Sequence, residues 1–390
     1  MNPNVFNRNI VNLKPSASLS FMMKAKEMKK KGIEVVDLAG GEPDFATPMP
    51  IVEEAYRQMK AGNTHYAVGK GIPQLQERIA RKLKEENDLD YQPGEILVTP
   101  GAKFAIYVSV NVLLNAGEEA MYLEPAFVSY EPIISAAGGK PVGVPLSYGN
   151  QYRITREALE ENVSEKTKLL IINYPNNPSG RLLSYEEAEI LEQFLLDHPK
   201  IFLISDEIYE RLIYDGKKNT SPAIFPAICS RVVTINGFSK SAAMTGWRLG
   251  YLAAPAELLD PMYKLYQHSV SCVSGFIQKA GVVALDCTEE IESMRKAYEE
   301  RRNVFCSLLN EIKGVETIPA DGAFYAWVKV EKEGIAPSEI GSYLLEHAKV
   351  VGVPGKAYGS ECDGFIRFSI ATDMENLKEA ARRMKKALEE

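Results

Sequence analysis

The 390-residue chain is poor in several residue types, and each shortage removes a class of protein. It has only five cysteines, Cys229, Cys272, Cys287, Cys306 and Cys362, an odd number that never forms C-x-x-C. That excludes a disulfide framework or zinc knuckle and points to a reducing cytoplasm. The four histidines, His65, His198, His268 and His347, show no ligand spacing, which argues against a metal site and against histidine-based catalysis. Positive charge is in deficit: 45 basic against 52 acidic side chains leave a net charge of −7, so no basic field would gather nucleic acid or anionic lipid. No apolar run approaches the roughly 18 residues of a spanning helix, and the polar stretch Met1 to Leu19, with Pro3 and Pro15, does not read as a signal peptide. Without secretion, the N-x-S sequences at Asn162 and Asn219 carry no meaning. Internal repeats, low-complexity tracts and Gly/Ser linkers are absent. Gly69-Lys-Gly71-Ile-Pro-Gln74 lacks the third glycine of a dinucleotide fingerprint and follows no apolar strand, and no Gly-Lys pair continues into a phosphate loop.

What is present is alternation. The length suggests two domains. From Glu95 onward, short apolar runs alternate with amphipathic stretches, the pattern of an α/β domain with a parallel sheet covered by helices. Strands are expected at Glu95–Thr99, Glu119–Leu123, Leu169–Asn173, Ile201–Ser205, Arg231–Asn236 and Leu249–Ala253. Ser184 and Glu187 form a capping box that opens a helix with Ile190, Leu191, Phe194 and Leu195 on one face. Thr372 and Glu375 bracket a second helix start, followed by an apolar stripe of Leu377, Ala381, Met384 and Leu388. After Pro255 the pattern changes to a long helix, Glu289 to Leu309, and then short strands over Val315 to Val330, which suggests a second, α+β domain. The basic run Lys24 to Lys31, with Met22, Ala25 and Met28 at helical spacing, reads as the solvated face of a helix.

Four strand ends carry polar groups that would converge if ligand binds beyond the carboxyl edge of the sheet. Tyr174-Pro-Asn-Asn177-Pro-Ser-Gly180 presents the Asn177 amide or is simply a turn. Asp206 with Tyr209 is an acid and a phenol at a strand mouth, or a helix cap and a core residue. Lys240, in Ser239-Lys240 between a strand and small residues and eight positions before Arg248, is placed for a lowered pKa and Schiff-base chemistry. Gly101-Ala102-Lys103 opens an apolar helix whose first N–H groups can hold an anion.

With these motifs in hand, the chain resembles the class I/II aminotransferases of the fold-type I pyridoxal phosphate enzymes, closest to the bacterial aspartate and aromatic subgroup. The resemblance runs from Gly40-Gly-Glu-Pro-Asp-Phe45-Ala-Thr-Pro48, through Tyr66 and Gly71, Gly101-Ala-Lys103, Phe127-Val-Ser-Tyr130, Asn177-Pro-Ser-Gly180, Asp206 to Tyr209 and Ser239-Lys240. It continues through Gly246-Trp-Arg248 and Gly322-Ala-Phe-Tyr325 to Arg367-Phe-Ser. It implies a large domain over residues 49–288 with a mostly parallel seven-stranded sheet. The smaller α+β domain would be formed by both termini, residues 1–48 as an arm and part of it, and 289–390 as the remainder.

The resemblance also implies a cofactor, pyridoxal 5′-phosphate, and a cast of residues. Lys240 would hold the cofactor as an aldimine and then move a proton from the substrate Cα. Asp206 would keep the pyridine nitrogen protonated, Asn177 and Tyr209 would bond its 3′-oxygen, and Phe127 would stack on the ring. Gly101, Ala102, Lys103, Ser239 and Arg248 would hold the phosphate, joined by Tyr66 from the neighbouring subunit of a homodimer. Arg367 would clamp the substrate α-carboxylate, with Gly41 beside the substrate backbone. Phe127 stands where the aspartate-preferring subgroup commonly has Trp, and Ala126 where an aromatic residue is frequent, which leaves the amino-donor side chain open. The expected reaction is ping-pong transfer of an amine from an L-amino acid, aspartate, aromatic or similar, to a 2-oxo acid such as 2-oxoglutarate. A C–S β-lyase in the same fold, a silent ligand-sensing domain and a dehydrogenase are the competing readings. No nucleic acid, membrane or metal is expected.

Overall fold

The computed structural model describes residues 6–13 and 17–390; the side chains of residues 17–20 and 22 lie outside the described part. In chain order the strands are β1 (Val36–Asp37), β2 (Ile96–Thr99), β3 (Glu119–Glu124), β4 (Lys140–Pro145), β5 (Thr167–Asn173), β6 (Phe202–Asp206) and β7 (Val232–Gly237). They continue with β8 (Gly250–Ala253), β9 (Val315–Thr317), β10 (Tyr325–Val330), β11 (Val350–Val351), β12 (Val353–Pro354) and β13 (Phe365–Ser369).

Seven of these build the main sheet in the order β2-β8-β7-β6-β5-β3-β4. β3 to β7 pair in parallel, and β8 alone runs against its neighbours β2 and β7. The alternation of side chains explains why the strands read as continuous apolar runs. On β5, Leu169 and Ile171 enter the core on one face and Leu170 and Ile172 the core on the other, so both faces are covered. The expected α/β class with a mostly parallel seven-stranded sheet is what is found.

Boundaries shift where local chemistry intervenes. Glu95 belongs to the 3-10 turn Pro93–Glu95, where it and Gln92 cap each other, and Arg231 ends another short 3-10 turn. β4 has no counterpart among the strands expected from sequence: Lys-Pro-Val-Gly-Val-Pro carries two prolines and a glycine, tolerated because this is the edge strand. The capping box at Ser184 and Glu187 is formed reciprocally, with Leu191, Phe194 and Leu195 buried. The C-terminal helix starts one residue later than Thr372 suggested. Asp373 is its N-cap, accepting from the Asn376 N–H, while Leu377, Ala381, Met384 and Leu388 are buried as expected. The helix Ala17–Lys30 buries Ala25 and rests Met28 on the core while Lys24, Lys26, Lys29 and Lys30 face solvent; the Met22 side chain lies outside the described residues.

A second layer forms from the ends of the chain. β12-β13-β10-β9 is an antiparallel sheet, packed with the long helix Thr288–Asn310 and the C-terminal helix Met374–Glu389 around its own core. The early segment joins it. β1 pairs in parallel with β11, and Leu38 accepts from the Ser369 N–H at 2.7 Å. The chain from Val36 to Gly41 is thereby drawn between the two sheets. Among the described residues no helix is long and apolar enough to cross a membrane.

Candidate functional site

Because β2, β3, β5, β6 and β7 run the same way, the residues that follow them emerge at one edge of the sheet. The reversed β8 begins at that edge, with Gly250 opposite both Thr99 and Gly237. The edge opens on a cavity of about 540 Å³. Of the residues singled out from sequence, Gly41, Ala102, Lys103, Phe127, Asn177, Asp206, Tyr209, Ser239, Lys240, Arg248 and Arg367 line it. Gly101 stands directly behind, at the N-cap of the helix Ala102–Leu113. Tyr66 is not among them: its side chain is 92% exposed and lies in a separate cleft with Thr64, His65, Cys272 and Ser274.

Two glycines are required by close approach. Gly101 has φ +84°, and a Cβ there would come within 2.6 Å of the Arg248 guanidinium; a Cβ on Gly250 would meet the Ala102 nitrogen at 2.6 Å. Arg248 is thus held against the helix entrance, donating to the Thr245 carbonyl at 2.8 Å and the Pro100 carbonyl at 3.3 Å. Lys103 lies 5.2 Å from the centre of the Phe127 ring, and burial together with Arg248 lowers its pKa. Two cations beside the free N–H groups of a helix start make an anion cradle.

At the mouth of β6, Asp206 is buried and accepts from the Tyr130 hydroxyl at 2.8 Å. Burial pushes its carboxyl up to about 6, opposed by the Tyr130 and Ile208 donors and by Lys240. Lys240 donates to the Gly41 carbonyl at 2.5 Å, and its head sits 6.0 Å from the Tyr209 ring centre and 5.7 Å from that of Phe324. Burial first, then the nearby Arg367, bring its amine down to about 8. A neutral, nucleophilic amine is therefore accessible near physiological pH.

Arg367, 4% exposed, rises from β13. It donates to Asn177 Oδ1 at 3.1 Å and to the Ala39 carbonyl at 2.9 Å, and its Nε is buried with no partner among the described residues. Arg367 lines the cavity with a guanidinium N–H to spare, a donor suited to a carboxylate. With its Oδ1 taken, Asn177 offers a ligand its N–H groups.

Sequence reasoning missed the supporting groups. Tyr130, the donor to Asp206, and Tyr325, 2.8 Å from the Tyr209 hydroxyl, were seen only as members of motifs. Asn173 fixes the Asn177 backbone N–H at 2.9 Å and the Asp206 carbonyl at 2.8 Å; a polar residue closing an apolar strand was its only signal. Glu42 and Thr245, bonded at 3.0 Å, also line the cavity.

A lysine of lowered pKa, a buried acid, an anion cradle and an arginine with an N–H to spare on one cavity define a site for an anionic cofactor that reacts with amines. The comparisons agree: the family described as aminotransferase class I and II matches residues 33–384. An aspartate aminotransferase of Pyrococcus abyssi is 42% identical over 92% of this chain and 92% of its own length. The aromatic-amino-acid aminotransferase 2 of Thermococcus litoralis is 40% identical over 95% and 97%. The solved aspartate aminotransferase from Thermus thermophilus with maleate superposes at a TM-score of 0.93, with 34% identity over 98% and 99%. The chain belongs to the class I and II aminotransferases and is a pyridoxal phosphate-dependent aminotransferase.

Proposed function

We propose that this enzyme moves the amino group of an L-amino acid to a 2-oxo acid, 2-oxoglutarate being the expected acceptor, in two half-reactions at Lys240. The observation that carries the reading is the placement of Lys240, Asp206 and Arg367, whose Nε has no partner among the described residues, on one cavity. The donor set fits pyridoxal phosphate: Ala102, Lys103, Ser239 and Arg248 would hold the phosphate, Asp206 the ring nitrogen, Asn177 and Tyr209 the 3′-oxygen, and Phe127 the ring face. Gly101, whose N–H is taken by the Thr99 carbonyl at 2.7 Å, makes room for Arg248 beside it. When bound, the cofactor supplies an electron sink for the pair left at the substrate Cα on loss of its proton.

The chain's own groups do the rest. Lys240 would hold the cofactor through its Nζ and, with that amine free, would accept the substrate Cα proton there and hand it on, so that the proton is moved and not lost. Its amine, brought down to about 8, is unprotonated in a share that grows from neutral pH upward, where an ordinary lysine is almost wholly charged. Asp206, ionised above about pH 6, holds a proton on the group it faces. Arg367 binds the substrate carboxylate through two N–H groups and so orients the Cα–H bond. Tyr66, exposed in the single chain, supports a homodimer in which it reaches the partner's phosphate site. The five cysteines are all unpaired, in keeping with a cytoplasmic enzyme.

The test is the absorption spectrum of purified enzyme with single L-amino acids and no acceptor. Bleaching of the visible band by aspartate or aromatic amino acids, restored by 2-oxoglutarate, is expected. Release of ammonia from a cysteine conjugate without an acceptor would instead make it a lyase, and a visible band that survives in Lys240→Ala would remove Lys240 from its role.

A further inference from the structure

Tyr325 touches two parts of the site, Arg367 and Tyr209. In the β10–β13 ladder Trp327 is opposite Arg367 and Tyr325 opposite Ser369, so Tyr325 and Arg367 are diagonal neighbours on one face. The Arg367 guanidinium accordingly lies 4.3 Å from the centre of the Tyr325 ring. At its other end the Tyr325 hydroxyl is 2.8 Å from the Tyr209 hydroxyl, and the two rings meet edge-on. Tyr325 is 1% exposed and Tyr209 is 4% exposed. Burial raises the pKa of both phenols, so each keeps its proton at neutral pH and one must donate to the other.

We propose that Tyr325 is a positioning residue that donates its proton to Tyr209, aims the Tyr209 proton into the cavity, and couples that donor to the occupancy of Arg367. The inference rests on the cofactor placement given above. A hydroxyl has one proton. If Tyr209 is to give its own to a cofactor oxygen, its lone pair must be fed from elsewhere, and Tyr325 is the neighbouring donor. Chains of this kind polarise one another, so the second hydroxyl strengthens the first as a donor. A carboxylate arriving at Arg367 pulls on the guanidinium that rests against the Tyr325 ring, which places substrate arrival and Tyr209 geometry on one side chain.

The experiment uses holoenzyme and the pH titration of its visible band. Tyr325→Phe keeps the ring against Arg367 and removes only the hydroxyl. The midpoint of the band is expected to rise by about 0.1 to 0.3 unit, because the Tyr209 bond to the cofactor is weakened and not lost, with the KM for amino donors near the wild-type value. Tyr325→Leu removes ring and hydroxyl, and should raise both the midpoint and KM. In Tyr209→Phe the further change Tyr325→Phe should leave the midpoint where it is, because the relay has already been cut. A Tyr325→Phe midpoint identical to wild type, or a midpoint shift of equal size in the Tyr209→Phe background, overturns the proposal. If the wild-type enzyme shows no visible band with added pyridoxal phosphate, it is the underlying cofactor reading that has failed.

Discussion

The segment Asp206–Glu210 faces two buried polar regions, and they are finished differently. Toward the cavity go Asp206 and Tyr209. Away from it, Glu210 pairs with the buried Lys82 of the helix Pro73–Asn87 and accepts from Asn87 at 2.6 Å, while Lys82 also donates to Asn87 at 2.8 Å. Beside them Glu207 accepts from Ser205 at 2.8 Å and Ser221 at 2.6 Å, and burial pushes its carboxyl up to about 7. In this rear network the charged heads meet protein partners. In the cavity, among the described residues, Lys240 hydrogen-bonds a carbonyl and forms no ion pair with a carboxylate, and Arg367 keeps an unpartnered Nε. The first region spends its polarity on holding the fold; the second holds polarity in reserve for a ligand.

If that contrast is right, mutations at the two regions separate activity from stability. The largest effect belongs to Lys240→Ala: half-transamination should fall by at least about 10³-fold, since covalent and acid–base roles are lost together. The thermal midpoint of the cofactor-free chain should hold or rise, because a buried, poorly paired amine has gone. Lys82→Met should do the reverse. It leaves the Glu210 carboxylate buried without its cation and with the Asn87 amide as its remaining hydrogen bond, at a cost of about 3–5 kcal/mol by denaturant unfolding, with kcat well below the transition close to wild type. Adding Glu210→Leu should recover most of the loss. A Lys82→Met variant of normal stability would end the comparison.

The two regions were unequally legible in the sequence. Cavity residues were readable because they follow strands, and strand ends at one sheet edge are where ligands bind. Lys240, Asp206 and Asn177 each occupy such a place. Lys82 was invisible: it sits in Gln-Glu-Arg-Ile-Ala-Arg-Lys-Leu-Lys, where nothing local distinguishes a buried lysine from solvated ones, and its partner is 128 residues away. Tyr130 and Tyr325 escaped for a related reason, since a tyrosine on an apolar pattern looks the same whether its hydroxyl is idle or bonded to Asp206 or Tyr209. The fold was readable where periodicity was strong and lost where the edge strand β4 is broken by prolines.

A smaller effect sharpens the picture of reserved polarity at Arg367. Arg367→Lys keeps the charge but loses the fork, whose hydrogen bonds to a carboxylate are worth about 1.5–3 kcal/mol. A fall in kcat/KM of roughly 10- to 100-fold, mostly in KM, is expected for every L-amino acid alike, because the α-carboxylate is common to all. A loss confined to dicarboxylic donors would show that Arg367 reads the side chain instead.

The most delicate test uses pH and the cofactor-free chain. The carboxyl of Asp206 is pushed up to about 6 from its ordinary 3.8. Between those values the folded chain holds a proton that the unfolded chain has released, so this group's contribution to stability is full below about pH 4 and is lost as the pH rises through about 6. The whole swing is about 3 kcal/mol at most. Asp206→Asn removes the titration while keeping the shape, so near pH 7.5 the cofactor-free variant should be as stable as wild type or more so, and near pH 4 that advantage should vanish. With pyridoxal phosphate bound the order should invert, since the carboxylate then gains a charged partner that Tyr130 and the Ile208 N–H do not supply. Thermal unfolding of both forms at the two pH values decides it. A cofactor-free Asp206→Asn chain clearly less stable than wild type at pH 7.5 would mean that Tyr130 and the backbone already satisfy the carboxylate, and that the cavity side of the segment is finished in the same way as the rear.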